Sequence, residues 1–340
     1  MQDNYLGVVP AADPLYAFLR DEVLGRVLGL AVATPVFDTW ALHPPILMRY
    51  TERVSGVALA GKFYGKKLPA GDAMPSPAYF RALLYQEFHN LLRVRELGFD
   101  RAPYRVVRPL AVNERLNYLL VEEFVAGPQL DTVIQAVLAH HDDQRLYARL
   151  ADLAGFLAQL HRRSATGRYA DLQVGLSYLD KVLVQLATKG VIAPEQRGRL
   201  VDLRNQWADV ALLQAAPEVL IHGDATPVNF VFARPGEVVA IDLERLRVGD
   251  GMTDVGCVAA ELRHAFFLAT GDPAAGEPFI QHLYACYAAQ LLVSGTDFGV
   301  LTARGRFWMG VFELRIARND WLDLVYRQHL VAEAERCLAR

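Results

Sequence analysis

A chain of 340 residues is long enough for two lobes with a sizeable core. Hydrophobic residues at 53% and charged residues at 21% exclude a disordered polymer, and a net charge of -3 gives no support for nucleic acid or an anionic membrane as the main partner. No apolar run reaches the roughly 18 residues of a membrane span, the start MQDNYLGVVPAADP lacks the basic-then-apolar order of a secretory signal, and the three scattered cysteines Cys257, Cys286 and Cys337 have no metal-ligand spacing, as expected of reduced thiols in a cytoplasmic protein.

In chain order, residues 14–30 (PLYAFLRDEVLGRVLGL) space their apolar side chains as a helix does. Three strand candidates follow, ATPVFDTWAL, PILMRYTE and GVALAGKFYG, separated by His-Pro-Pro and Arg-Val-Ser-Gly turns. Alternation along the third puts Ala58, Ala60 and Lys62 on one face. The stretch from Lys66 to Pro77, rich in Pro, Gly and Lys, reads as a mobile connection. A helix is expected over residues 78–97, with Glu87 flanked at helical spacing by Leu83, Leu84 and Leu91 and so turned towards the sheet; the alternative is a rim charge paired with a surface Arg. YRVVRPLAV and NYLLVEEFV complete an antiparallel sheet, and the second runs into the break Ala126-Gly127-Pro128.

Beyond Leu130 the pattern is helical, with YARLADLAGFLAQLH (147–161) as a central helix and further helices near 175–187, 194–213, 253–270, 278–292 and 299–338, the last broken near Asn319. His161 suits a helix C-terminus and reads as structural. The run His140-His141-Asp142-Asp143 resembles a metal cluster only in composition, because adjacent helical residues face different ways. Phe307, Trp308, Phe312, Trp321 and Tyr326 recur at helical spacing, which is core by default, with one or two available to line a pocket. No internal repeat or low-complexity tract interrupts this order.

One stretch stands apart from these patterns. VLIHGDATPVNFVFARPGEVVAIDLERLRVGDGMTD (219–254) reads as a short buried strand, a loop carrying His222-Gly223-Asp224, and a hairpin of strands 229–233 and 238–242 joined by Arg234-Pro235-Gly236-Glu237. Charged and amide groups set among apolar strands cost several kcal/mol unless something satisfies them. Asp224 and Asn229 are separated by four residues, and Asp242 ends the returning strand VVAID.

With that order, spacing and strand context, the segment resembles the aminoglycoside phosphotransferase and choline kinase family, small-molecule kinases of protein-kinase-like fold. The resemblance implies an α+β, bilobal architecture: an N-terminal nucleotide-binding lobe over residues 1–124 built on an antiparallel sheet, and a mostly helical lobe over 125–340 holding the catalytic loop and acceptor site. It implies transfer of the γ-phosphoryl group of ATP (or GTP), with Mg²⁺, to a hydroxyl of a small molecule such as an antibiotic, amino alcohol or sugar. In that frame Asp224 accepts the hydroxyl proton, Asn229 and Asp242 hold the metal, and Lys62 reaches the phosphates and is oriented by Glu87. Ala60 leaves room for the adenine, whose edge pairs with backbone groups near Glu123 and Val125, with Phe124 or Leu120 against the ring. His222 braces the loop, Asp254 caps the following helix and fixes the loop backbone, and Glu244 is either a further metal ligand or a surface charge paired with Arg245 or Arg247.

Departures from protein kinases sharpen the expectation. Gly223 stands where they usually carry Arg, Thr226 where Ser/Thr kinases carry Lys, and Asp254 lies only twelve positions after Asp242, leaving little room for a segment that could hold a peptide. The segment VFDTWALHPPILMRY contains no Gly, so it lacks the glycine-rich phosphate loop. A polycationic aminoglycoside would want an acidic pocket, for which Glu261, Glu313, Asp320 and Asp323 are candidates, but the late helices are also rich in Arg, which disfavours that substrate. The rival readings are a catalytically inactive, pseudokinase-type protein that binds a ligand or partner in the same cleft, and a two-metal hydrolase.

Overall fold

The computed structural model describes residues 4–67, 75–292 and 295–339, so most of the Lys66–Pro77 connection lies outside the described residues. The chain forms two compact units, Met1–Gly127 with Val239–Glu244, and Pro128–Val238 with Arg245–Arg340. Among the described residues no helix is long and apolar enough to cross a membrane.

The first unit is built on a six-stranded sheet in the order β1-β2-β3-β4-β7-β6, from β1 (Asn4–Val8), β2 (Phe37–His43), β3 (Leu47–Glu52), β4 (Ala58–Phe63), β7 (Leu119–Glu123) and β6 (Pro109–Asn113), all consecutive pairs antiparallel. The edge strand β1 was not legible as a strand, because Gly7 interrupts its alternation. The expected helix over 14–30 starts as α1 (Pro14–Ala17), capped by Asp13, and continues as a π-helix from Phe18 to Val27. Its buried Leu19, Val23 and Leu24 join Phe37, Tyr50, Leu59 and Val121 of the sheet in one apolar core. YRVVRPLAV splits at Val107-Arg108 into β5 (Tyr104–Val106) and β6; Pro109 has no N–H to continue a ladder. Helix α2 (Pro77–Glu96) is capped by Ser76 and buries Phe80, Leu84, Glu87, Leu91 and Val94 on one face. The turn joining β2 and β3 contains Pro44 and Pro45, which have no N–H, and the N–H of Ile46 donates to the His43 carbonyl (2.9 Å).

The second unit is helical: α3 (Leu130–His140), α4 (Asp143–Arg163), α5 (Leu172–Thr188), α6 (Pro194–Ala208), α7 (Ala211–Gln214), α8 (Met252–Thr270), α9 (Glu277–Leu291), α10 (Gly295–Ala317) and α11 (Leu324–Leu338). The expected 194–213 helix breaks at Asp209-Val210, and the last long helix breaks between Ala317 and Leu324, around Asn319. Helix α10 packs on α8 and α11, and α4 on α9. The buried strand β8 (Glu218–Ile221) finds a partner that periodicity did not show: β11 (Arg247–Asp250) pairs with it antiparallel, Arg247 opposite Ile221. Strand β9 (Phe230–Arg234) and β10 (Glu237–Ala240) form the hairpin, each reaching one residue further into the turn than expected, with Gly236 at φ +75° there; β10 ends at Ala240, so Asp242 lies two residues beyond the strand and not at its last position. His140 to Asp143 is an exposed junction between α3 and α4, with His141 as the left-handed C-cap of α3.

Candidate functional site

In the first unit, β4 and β7 bring Ala60 opposite Glu122 and Lys62 opposite Leu120, so these four share one face of the sheet. Lys62 Nζ lies 2.5 Å from Glu87 Oε1, 3.8 Å from Glu122 Oε2 and 3.6 Å from Asp242 Oδ1. The inward orientation expected of Glu87 is present: it is fully buried, and its second oxygen accepts from the Tyr64 hydroxyl. Asp242 sits in the left-handed region at φ +61°, which Asp tolerates better than most residues. The backbone beside it is tied to α2, where Gln86 Nε2 donates to the Glu244 carbonyl (2.8 Å) and Asn90 Nδ2 to the Leu243 carbonyl (2.8 Å).

The electrostatics of this cluster are unbalanced. One ammonium faces three carboxylates. Burial raises the Glu87 and Glu122 carboxyls, against the opposing pull of Lys62; the Lys62 ammonium is also raised, since the surrounding carboxylates outweigh its own burial. Glu122 Oε1 is buried with no hydrogen-bond partner. Carboxylate oxygens of Glu87, Asp242 and Glu244 lie within 4.8 Å of one another, while Glu244 also accepts from Lys67 Nζ (2.5 Å). Hard oxygen donors with surplus negative charge and an unsatisfied buried oxygen fit a divalent cation such as Mg²⁺.

At the end of β7, the Glu123 N–H donates to the Arg108 carbonyl and the Phe124 N–H to the Ala58 carbonyl, both at 3.0 Å. The Glu123 carboxylate accepts from Arg105 (2.5 Å) and from the Arg108 N–H (2.8 Å). Of the two positions expected to meet an adenine edge, Val125 therefore keeps its N–H uncommitted among the described residues.

In the second unit, the loop after β8 is held by Asp254 in the first turn of α8. One carboxylate oxygen accepts from the His222 N–H (2.7 Å) and the other from the Gly223 N–H (3.0 Å), while His161 Nε2 lies 3.2 Å away. His161, at the end of α4, bonds through Nδ1 with the Tyr287 hydroxyl (2.8 Å). Burial pushes the Asp254 carboxyl up, but the bonds and charge from His161 and the loop amides outweigh it and hold it below the usual carboxylate range. Asp254 fixes the loop as expected; it does not cap α8, whose N-cap is Gly251. His222 is fully buried with its ring against Phe230, a bracing position.

Asp224 follows at the loop's tip. Its Oδ1 accepts from Arg315 Nη2 (2.6 Å) and its Oδ2 lies 3.4 Å from Arg245 Nη1. Asn229, at the end of a 3₁₀ turn begun by Pro227, donates through Nδ2 to the Asp224 carbonyl (2.8 Å) and to Thr226 Oγ1 (3.2 Å). Its side-chain oxygen, the atom a cation takes, makes no hydrogen bond with a described residue.

Gly223, Arg245 and Arg315 line a cavity of about 510 Å³ within this unit, closed on other sides by α5, β11 and α10. Trp308 forms part of its wall, donating through Nε1 to Asp250 (2.9 Å), and it fits because Gly175 and Gly256 have no Cβ: one built there would lie 2.4 and 2.5 Å from its side chain. None of the four acidic residues expected to make an acidic pocket lines it. Glu313 is buried against Arg263 (3.1 Å), Asp320 pairs with Lys189 and Arg327, Asp323 caps α11, and Glu261, on α8, feels the charges of Arg315 and Asp224 without lining the cavity. Arg315, Lys181 and Tyr287 were missed by sequence reasoning, since none belongs to a local motif; for Arg315 the signal was the Arg content of the late helices, and Arg245 was legible as a partner for Glu244, not for Asp224.

The family described as "Phosphotransferase enzyme family" matches residues 52–288. No curated protein matches the chain. Among solved structures, an ethanolamine kinase from Plasmodium vivax is similar at 14% identity with a TM-score of 0.56, covering 95% of this chain and 85% of that one. The ternary complex of APH(2")-IIa with streptomycin and ATP is similar at 12% identity and a TM-score of 0.55, covering 96% and 97%. Macrolide 2'-phosphotransferase MphH from Brachybacterium faecium is similar at 16% identity and a TM-score of 0.52, covering 94% and 98%.

Proposed function

Because the chain belongs to the phosphotransferase enzyme family, we propose that it transfers the γ-phosphoryl group of ATP to a hydroxyl of a small molecule. The first unit acts as the nucleotide-binding lobe and the second carries the catalytic loop and the acceptor cavity. The observation that carries this reading is the pinned loop of Asp224: Asp254 holds its backbone, Arg315 orients its carboxylate, and Arg315 and the adjacent Gly223 line a cavity of small-molecule size.

Asp224 aligns the acceptor hydroxyl and accepts its proton late, as the acceptor oxygen bonds phosphorus and ADP departs. Lys62, oriented by Glu87, binds phosphate oxygens, and its side chain is mostly buried so that its charge acts at short range. Ala60 and the Val125 backbone receive the base, with Glu123 fixing the strand end. Asn229 and Asp242, with Glu87 and Glu244 beside the latter, offer the oxygen ligands for Mg²⁺, which neutralises phosphate charge when bound. No N–H from residues 44–46 is free to cradle phosphate.

The test is ADP formation with a panel of hydroxylated acceptors, wild type against Asp224→Asn. The variant is expected to lose about 10²–10⁴ in turnover while binding Mg·ATP as tightly. Equal turnover by both proteins, or phosphate release that no acceptor increases, would overturn the assignment.

A further inference from the structure

The cavity beside Asp224 is cationic. Five of its lining side chains are basic (Lys181, Arg245, Arg247, Arg315 and Arg318) against three carboxylates, Asp171, Glu218 and Asp250. Two of those carboxylates are already matched from outside the lining, Glu218 by Arg168 (2.8 Å) and Asp250 by Arg304. Arg315 and Arg245 are matched by Asp224. Lys181, Arg247 and Arg318 form no ion pair with a described residue; Arg318 donates to the Gln185 amide (3.0 Å) and Arg247 reaches only the Arg245 carbonyl at 3.5 Å. The cavity therefore holds a surplus of positive charge, arranged around the aromatic walls Tyr178, Trp308 and Phe312.

We propose that the acceptor is an anionic hydroxylated small molecule, one carrying a carboxylate or phosphate group besides the hydroxyl that is phosphorylated, with Lys181, Arg247 and Arg318 as its anion-binding residues. This rests on the proposed phosphotransfer and narrows its substrate class. The helix faces explain the arrangement. Tyr178 and Lys181 lie three apart on α5, and Trp308, Phe312 and Arg315 lie at i, i+4 and i+7 on α10, so each helix turns an aromatic ring and a cation into the same space. Guanidinium groups bind carboxylates and phosphates through paired hydrogen bonds. A polycationic antibiotic or a quaternary amine would instead meet unneutralised like charge, with one carboxylate of the lining, Asp171, unmatched by an ion pair.

The test is a calorimetric titration of the full chain with 3-phosphoglycerate, shikimate, choline and kanamycin, with and without Mg·ATP. At least one of the two acids is expected to bind saturably, more weakly as KCl is raised, and about tenfold or more weakly to the Lys181→Glu/Arg247→Glu double variant. Both side chains are exposed; Lys181→Gln/Arg247→Gln serves if charge reversal disturbs folding, with a smaller loss expected in the same direction. Tighter binding of choline or kanamycin than of either acid, acid binding indifferent to both variants and to salt, or no binding of either acid overturns the proposal. Because the titration reads binding and not turnover, an acid that binds in this way but is never phosphorylated counts against the phosphotransfer reading and leaves the charge preference standing.

Discussion

At Gly223 the backbone requirement is explicit. The residue sits at φ +77°, and a Cβ there would lie 2.3 Å from the Arg245 carbonyl oxygen. Gly223→Ala is expected to cost about 1–3 kcal/mol, from the strained φ and the close contact together, read as a lower denaturant midpoint at unchanged slope. The absence of an Arg at this position is therefore a steric necessity of this loop as well as a difference from protein kinases. Arg315 stands where its removal separates orientation from binding. It donates to Asp224 from a helix 91 residues further along the chain. Arg315→Gln is expected to lower kcat by about tenfold or more with the Mg·ATP affinity kept, and Arg315→Lys to recover part of the loss, since Lys returns the charge but not the planar donor geometry. A variant with full kcat would remove Arg315 from the machinery.

Helices α8 and α11 meet at His264, which is buried beside the Tyr326 hydroxyl at 2.8 Å. Burial lowers its imidazole from 6.5 to about 4. A group whose folded-state value is depressed in this way and which is neutral when deprotonated stabilises the fold above about 6.5, and that contribution is lost as the pH falls through about 4. The full effect is on the order of 3 kcal/mol. Unfolding free energies measured between pH 7 and pH 4 should fall more steeply for the wild type than for His264→Gln, whose amide does not titrate; parallel curves would show that His264 is solvated before it charges. In α2, the buried Glu87 works in the opposite sense. Its charge is tolerated beside Lys62, and Lys62→Met is expected to destabilise the first unit by about 3 kcal/mol near pH 8, because it leaves three carboxylates facing one another. The loss should shrink towards pH 5, as the raised carboxyls take up protons.

For the whole molecule, a ligand that binds only the folded state adds its binding free energy to stability. Mg·ATP at a hundredfold excess over its dissociation constant is expected to raise the unfolding free energy by about 2.7 kcal/mol. Most of that increment should disappear when EDTA removes the metal, given the surplus carboxylates around Lys62. A thermal midpoint indifferent to Mg·ATP would remove the nucleotide from the proposed function.

The amino-acid sequence alone determined the sheet-then-helix order, the spacing of Asp224 and Asn229 and the inward face of Glu87, and it put Asp242 close after the returning strand, which ends two residues earlier, at Ala240. Each of these is written in neighbouring residues, through the period of a strand, the period of a helix or the reach of a turn. Only the tertiary structure decided what surrounds them. The pairing of β8 with β11, the grip of Asp254 and His161 on the loop, the Arg315 contact to Asp224 and the cationic lining of the cavity join segments tens of residues apart. Side-chain charge follows from the sequence, but whether charges meet, cancel or face a cavity depends on packing between elements, which no local pattern encodes.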